Sequence, residues 1–308
     1  MWAMADLDPV LSKVLAAVPF TLTADGGPQV ARQRFAELPR IPVHPDVTTE
    51  DHSVDGPAGP VPVRVYRPPT EASVLPVVIF IHGGAWSVGD LDTYDAAARV
   101  HAVGAHAVVV SVDYRLAPEH PYPAAVEDTW AATQWVAANA SRFGGDPERV
   151  AVAGDSAGGN LAAVMAQLAR DAGLPLRFQL LWYPSTTFDT SLPSFTENAE
   201  APILSLDACK AFTRWYVADT DLSRPPATLV PAVGELDGLP AAYIAVAGHD
   251  PLRDDGMRYA QLLTEAGVDT ELHHAETLVH GFLAYHGVVP AATEATERAL
   301  TALRTALQ

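Results

Sequence analysis

Ser156 lies in Gly154-Asp155-Ser156-Ala157-Gly158, after the run Val150-Ala151-Val152-Ala153 and before Leu161, Val164, Met165 and Leu168 at helical spacing. Small residues two before and two after a serine allow a strand-to-helix turn tight enough to leave the hydroxyl exposed at its apex. A serine hydroxyl is a weak nucleophile at neutral pH, so it needs an imidazole base that is itself held by a carboxylate. The same spacing suits an ordinary glycine-rich turn, and the partners decide between the two readings.

Downstream, Tyr243-Ile244-Ala245-Val246-Ala247 reads as a buried strand ending at Gly248-His249-Asp250-Pro251. Asp250 is the acid by position, just past that strand and just before a proline that can open the next helix; the alternative is a plain helix cap. Asp254 and Asp255, a helical turn later, are the reserve acids. Among the histidines after Ser156, His280 in Leu278-Val279-His280-Gly281-Phe282 follows the last strand signal and adjoins a glycine that permits a tight loop. His273 and His274 fall at or near that strand, where solvent or packing accounts for them. His249 adjoins the acid on one loop, an arrangement that rarely gives triad geometry. For the negative oxygen of an acyl intermediate, His82-Gly83-Gly84-Ala85-Trp86 follows another apolar strand, so the N–H groups of Gly83 and Gly84 are candidate donors, joined by that of Ala157 at the start of the serine helix.

Groups so far apart in sequence need a sheet whose strand ends gather them. From residue 75 onward, apolar strands at 77–81, 107–112, 150–153, 178–182, 241–247 and 268–273 alternate with helical spans at 93–103, 124–140, 157–172, 252–266 and 291–307. That alternation predicts a mostly parallel sheet covered on both faces, with its chemistry on loops at the carboxyl ends of the strands. Val61, Val63 and Val65 alternate after the turn-rich 55–60, which predicts a hairpin of two edge strands and brings the total to eight. Residues 8–18 read as a short amphipathic helix with Pro9 in its first turn, and 19–39 as further short helix. The stretch 188–222 is too long for an ordinary connection and carries Ser205 as a helix cap before Phe212, Trp215 and Tyr216. It reads as an insertion above the sheet, or as a peripheral packing layer. The expected division is 1–45 as the first part of a helical cap, 46–187 as the first part of the core, 188–222 as the cap insertion and 223–308 as the second part of the core.

The chain has 308 residues, is 49% hydrophobic and carries a formal charge of −18. Such a surface repels nucleic acid and anionic lipid and disfavours polyanionic substrates unless a local basic patch intervenes, and no cluster of Lys and Arg in the sequence offers one. Cys209 is the only cysteine, which leaves no intrachain disulfide and no cysteine-based metal site. The opening residues have neither a basic leader nor an apolar core, and no run reaches the length of a membrane span, so the expected location is cytoplasmic without membrane insertion. No His-Glu-x-x-His, Walker or dinucleotide pattern occurs, and no cofactor or metal is expected.

Taken together, the His82–Trp86 segment, Asp113-Tyr114-Arg115-Leu116-Ala117-Pro118-Glu119-His120-Pro121-Tyr122-Pro123-Ala124, the Ser156 turn, Asp250-Pro251-Leu252-Arg253-Asp254 and His280-Gly281-Phe282 resemble the bacterial hormone-sensitive-lipase-like (family IV) esterases of the α/β-hydrolase superfamily, in the family's order. The resemblance implies an α/β-hydrolase fold with a helical cap and a carboxylesterase acting on short- to medium-chain acyl esters, with a small-molecule ester as partner. By position it places the nucleophile on Ser156, the acid on Asp250, the base on His280 and the oxyanion donors on Gly83, Gly84 and Ala157. It makes 113–124 scaffold behind the site, and it allows a homodimer through a sheet edge or terminal helix. Ala85 stands where a third glycine is often found, which alanine suits in right-handed backbone states. Amidases, lactonases and deacetylases of small molecules use the same triad, whereas noncatalytic receptors of this fold lack the histidine that His280 supplies.

Overall fold

The computed structural model describes residues 5–308; residues 1–4, on which part of the N-terminal reading rests, lie outside it. Helix α1 (Pro9–Ala17) begins where the Asp8 carboxylate accepts the N–H groups of Val10 and Leu11 at 2.8 and 2.9 Å, and Pro9 sits where its missing N–H is not needed. Helix α2 (Pro28–Ala36) follows. The rest runs β1 (Thr48–Gly56), β2 (Gly59–Arg67), β3 (Leu75–Ile81), α3 (Asp95–Ala105), β4 (Val108–Val112), α4 (Ala124–Asn139), β5 (Gly145–Asp155), α5 (Ala157–Ala172), β6 (Leu176–Trp182), α6 (Pro193–Glu197), α7 (Leu206–Val217), β7 (Ala241–His249), α8 (Arg253–Glu265), β8 (Thr270–Val279) and α9 (Pro290–Ala306).

The strands form one eight-stranded sheet in the order β1-β2-β4-β3-β5-β6-β7-β8, antiparallel at β1–β2 and β2–β4 and parallel elsewhere. This is the mostly parallel sheet that the strand and helix pattern predicts, and it matches the α/β-hydrolase fold that the resemblance implies. One expectation needs correction, because β2 is an interior strand and the sheet edges are β1 and β8. The valine alternation describes only one face of β2; Tyr66, fully buried, fills the other.

Both faces are covered, and the central strands are apolar throughout for that reason. On β3, Val77, Ile79 and Ile81 join the core beneath α4, α5 and α8, while Val78 and Phe80 join the opposite core with α3, α9 and Leu11 of α1. A third apolar cluster lies apart from both and joins Ala31 of α2, Phe195 of α6, and Ala208 and Phe212 of α7 to Val88 and Leu252 of the body. The N-terminal segment reaches this layer through a bridge between Thr21 and Ile203, where Leu22 N–H donates to Ile203 O at 2.8 Å.

The 113–124 stretch props up the loop after β3. Tyr114 Oη donates to His82 O at 2.9 Å and Ala117 N–H to Trp86 O at 2.8 Å. Arg115 is held by buried Asp128, with Nε–Oδ2 and Nη2–Oδ1 both at 2.8 Å, and Glu119 accepts Arg32 of α2. The span 228–239 runs as a loop with a short 3₁₀ turn at Pro231–Val233, fastened to α5 by Asn160 and Gln167 side chains donating to Leu229 O and Pro231 O.

Candidate active site

Ser156 stands between β5 and α5 with φ 56° and ψ −116°, a backbone state that a side chain with a Cβ rarely adopts. Packing on both sides imposes it. A Cβ at Gly154 would fall on the carbonyl oxygen of Gly158, and one at Gly158 would fall on that of Ile81 at the end of β3. Ser156 N–H donates to Trp182 O at 2.8 Å, which anchors the turn to β6. Such strain persists only where the surroundings over-determine the conformation, and here it lifts the hydroxyl above the carboxyl end of the sheet.

Beyond β8, His280 directs Nε2 at Ser156 Oγ, 2.9 Å away, and Nδ1 at Asp250 Oδ2, 2.7 Å away. An ionised carboxylate only accepts, so Nδ1 carries the proton and Nε2 is free to accept from the serine hydroxyl. Gly281, at φ 75°, turns the chain immediately after the histidine. Asp250 is fully buried, and its Oδ1 accepts Leu252 N–H at 2.8 Å. That bond closes a turn ahead of α8, whose N-cap is Leu252 with no side-chain cap bond, so Asp250 does not act as the helix cap.

The reserve acids are engaged elsewhere. Asp255 Oδ1 accepts Thr186 N–H, Thr186 Oγ1 and Thr187 N–H at 2.7, 2.6 and 3.0 Å, tying α8 to the loop after β6, and burial pushes its carboxyl up to about 6. Asp254 accepts Ser194 N–H at 2.9 Å and pairs with Arg253 at 2.7 Å. His273 and His274 lie on β8 and His249 ends β7; none hydrogen-bonds to Ser156 or Asp250.

The loop after β3 departs from expectation at two positions. Gly83 N–H, expected to face the substrate, instead donates to Asp155 Oδ1 at 2.7 Å in this structure. The N–H groups of Gly84, Ala85 and Ala157 make no hydrogen bond among the described residues, and all three residues line the same cavity as Ser156 and His280. Ala85 is also not right-handed: Gly84, Ala85 and Trp86 have φ of 99°, 51° and 56° in succession. Ser87 and Val88 N–H both return to Gly84 O, at 3.0 and 2.9 Å, and this tight turn forces the conformation that alanine otherwise avoids.

Asp155 and Tyr94 are parts of the site that motif reading passed over. The Asp155 carboxylate accepts Gly83 N–H and, at 3.3 Å, the Tyr94 hydroxyl; burial pushes it up to about 6, although the bond from Gly83 acts in the opposite direction. His82 stacks on Tyr114 with ring centroids 4.3 Å apart, and burial pushes its imidazole down to about 4, so it is neutral near pH 7. The available signal was a carboxylate adjoining the serine in a buried turn, an expensive placement unless donors are waiting.

A cavity of about 450 Å³ opens over Ser156 and His280, with apolar walls that include Phe35 of α2, Phe188, Phe195 of α6 and Phe212 of α7. Trp86 stacks on Tyr216 of α7 at 4.3 Å with rings 1° from parallel, linking the loop after β3 to the overlying helix. Cys209 faces the cavity with its thiol pushed well up by burial, which leaves it protonated. Among the described residues no group of three or more His, Cys, Asp or Glu side chains is placed to hold a metal ion, and no helix is long and apolar enough to cross a membrane.

Comparison with known proteins agrees with this arrangement. Residues 78–284 match the model of a family described as alpha/beta hydrolase fold. Esterase LipI of Mycobacterium tuberculosis is 61% identical over 305 residues, covering 98% of this chain and 95% of the relative. Carboxylesterase NlhH of the same species is 58% identical over 312 residues, covering 99% and 98%. The crystal structure of DphMB1 superposes with a TM-score of 0.96 at 66% identity, covering 98% of this chain and 99% of that one.

Proposed function

The chain belongs to the bacterial hormone-sensitive-lipase-like esterases of the α/β-hydrolase fold, and from that premise we infer that it is a serine carboxylesterase working through an acyl-enzyme. The observation that carries this reading is the relay from Asp250 Oδ2 through His280 to Ser156 Oγ, with spans of 2.7 and 2.9 Å. In the proposed mechanism His280 Nε2 takes the Ser156 proton as Oγ attacks the ester carbonyl, and Asp250 orients the ring and stabilises the imidazolium. The N–H groups of Gly84, Ala85 and Ala157 receive the negative oxygen, aided by the N-terminus of α5. Collapse of the tetrahedral intermediate expels the alcohol with the proton from His280. Water then attacks the acyl carbon, giving its proton to His280, and Ser156 leaves with that proton restored.

Residues before about 45 and 188–222 together form the cap in this reading. The third apolar cluster supports that division, because it packs α2, α6 and α7 against one another over Val88 and Leu252. A largely apolar cavity of about 450 Å³ suits an acyl arm of short to medium length with few polar anchors.

The test is kcat/KM for wild type and Ser156→Ala on p-nitrophenyl esters from acetate to laurate. A maximum at intermediate chain length, with Ser156→Ala reduced by about 10⁴-fold or more, is the expected result. Turnover that survives the substitution in a folded protein sinks the serine-esterase reading.

A further inference from the structure

Lys210 and Arg214 are separated by one turn of α7 and both line the cavity over Ser156. They are exposed, and among the described residues neither pairs with a carboxylate nor donates a side-chain hydrogen bond. Several other cations are held, Arg32 by Glu119, Arg64 by Asp51 and Asp92, Arg115 by Asp128 and Arg253 by Glu197, whereas Lys210 and Arg214 are the cations that line this cavity and stand unpaired there. With 37 acidic against 19 basic side chains, partners are plentiful, yet Asp207 on the same helix and Asp189 beside cavity-lining Thr190 form no ion pair with either cation.

Helix stability does not account for both residues. Arg214 lies in the last turn of α7, where a cation suits the helix dipole, but Lys210 lies mid-helix. Like charges at this spacing repel, and an anion seated between them relieves that repulsion. Asp155, the other charged residue lining the cavity, is buried and already engaged by Gly83 and Tyr94. The exposed charge on the cavity wall is therefore positive in a chain of net charge −18, and the wall between it and Ser156 is largely apolar, including Phe212 of the same helix. The fold thus supplies the local basic patch that the sequence shows no run for.

We propose that Lys210 and Arg214 form an anion-binding arm of the substrate site, selecting esters that carry a carboxylate at the far end of an apolar chain, such as half-esters of dicarboxylic acids. This rests on the esterase reading and names the substrate class of that same site. The apolar walls hold the methylene chain and the two cations hold the distal carboxylate, with Thr213 of α7 and Thr190 as neutral donors in the same lining.

The experiment compares monomethyl succinate, glutarate, adipate and suberate with the methyl esters of monocarboxylic acids of equal carbon number, following acid release in wild type and the double variant Lys210→Met/Arg214→Met. The readout is the ratio of kcat/KM, half-ester over neutral ester, which cancels any general loss caused by altering the cap helix. At the best-matched length the ratio is expected to fall about tenfold in the double variant, mainly through KM, and to fall in wild type as salt screens the contact. Lys210→Glu/Arg214→Glu lowers it further. Neutral-ester turnover with a ratio that is the same in wild type and variants at every length overturns this inference alone. Turnover of neither ester class by wild type overturns the esterase reading and this inference with it.

Discussion

Replacing Asp155 separates the positioning of the loop after β3 from the chemistry at Ser156. The buried carboxylate accepts Gly83 N–H at 2.7 Å and the Tyr94 hydroxyl at 3.3 Å. Asp155→Ala leaves that buried N–H unpaired, a cost of about 1–3 kcal/mol that the loop can relieve by moving. Gly84 and Ala85 move with it, and loss of one oxyanion donor is worth about 10²–10³ in rate. The expected outcome for Asp155→Ala is kcat lower by about a hundredfold, with KM changed only a few-fold. Asp155→Asn retains an oxygen for Gly83 and presents an amide to the Tyr94 oxygen, so its kcat should stay within about tenfold of wild type. Stability moves the other way. Burial raises the Asp155 carboxyl from the ordinary 3.8 to about 6, so the fold favours the protonated form. That contribution is full below about pH 4 and is lost as pH rises through about 6, a difference of about 3 kcal/mol. Asparagine never ionises, so Asp155→Asn is expected to be more stable than wild type near neutral pH, with the gain disappearing towards about pH 4. Steady-state rates on p-nitrophenyl butyrate and urea unfolding across this range check both arms. The reasoning is refuted if Asp155→Ala keeps kcat within about threefold of wild type, or if asparagine loses as much activity as alanine.

Two further outcomes follow from buried polar groups away from the chemistry. Arg115→Met removes the guanidinium from Asp128, which is 1% exposed, and should cost about 3 kcal/mol in urea unfolding; Arg115→Met/Asp128→Leu should recover most of it. Recovery no better than the single variant would show that the pair contributes more than mutual neutralisation. His101 bonds through Nδ1 to Ala97 O at 2.8 Å and accepts Trp182 Nε1–H at 3.0 Å, and burial pushes it down to about 4. Its folded value lies below the unfolded one, so the stability it supports is present above about pH 6.5 and is lost as pH falls through about 4. The stability gap between wild type and His101→Gln should narrow over that interval, and a constant gap counts against a buried neutral imidazole.

Much of this molecule is written in short-range pattern. Apolar runs such as Val77-Val78-Ile79-Phe80-Ile81 can be satisfied only by a sheet covered on both sides, and the small residues around Ser156 admit only a close-packed turn. Ser156, Asp250 and His280 were legible as a set because each directly follows a strand signal, and a parallel sheet gathers such positions at one end. What the pattern could not decide was direction and company. Whether Gly83 N–H faces an incoming oxyanion or Asp155 depends on a left-handed turn running through Ala85, fixed by carbonyls that no local sequence rule names. The interior place of β2 depends on Tyr66 filling its second face, which valine alternation does not report. Lys210 and Arg214 are ordinary surface charges in sequence, and only the docking of α7 over the Ser156 turn sets them on the cavity wall. Periodicity fixes which elements form because it reflects burial of whole faces; individual hydrogen bonds and charges depend on atoms from distant segments, so only the assembled fold assigns them.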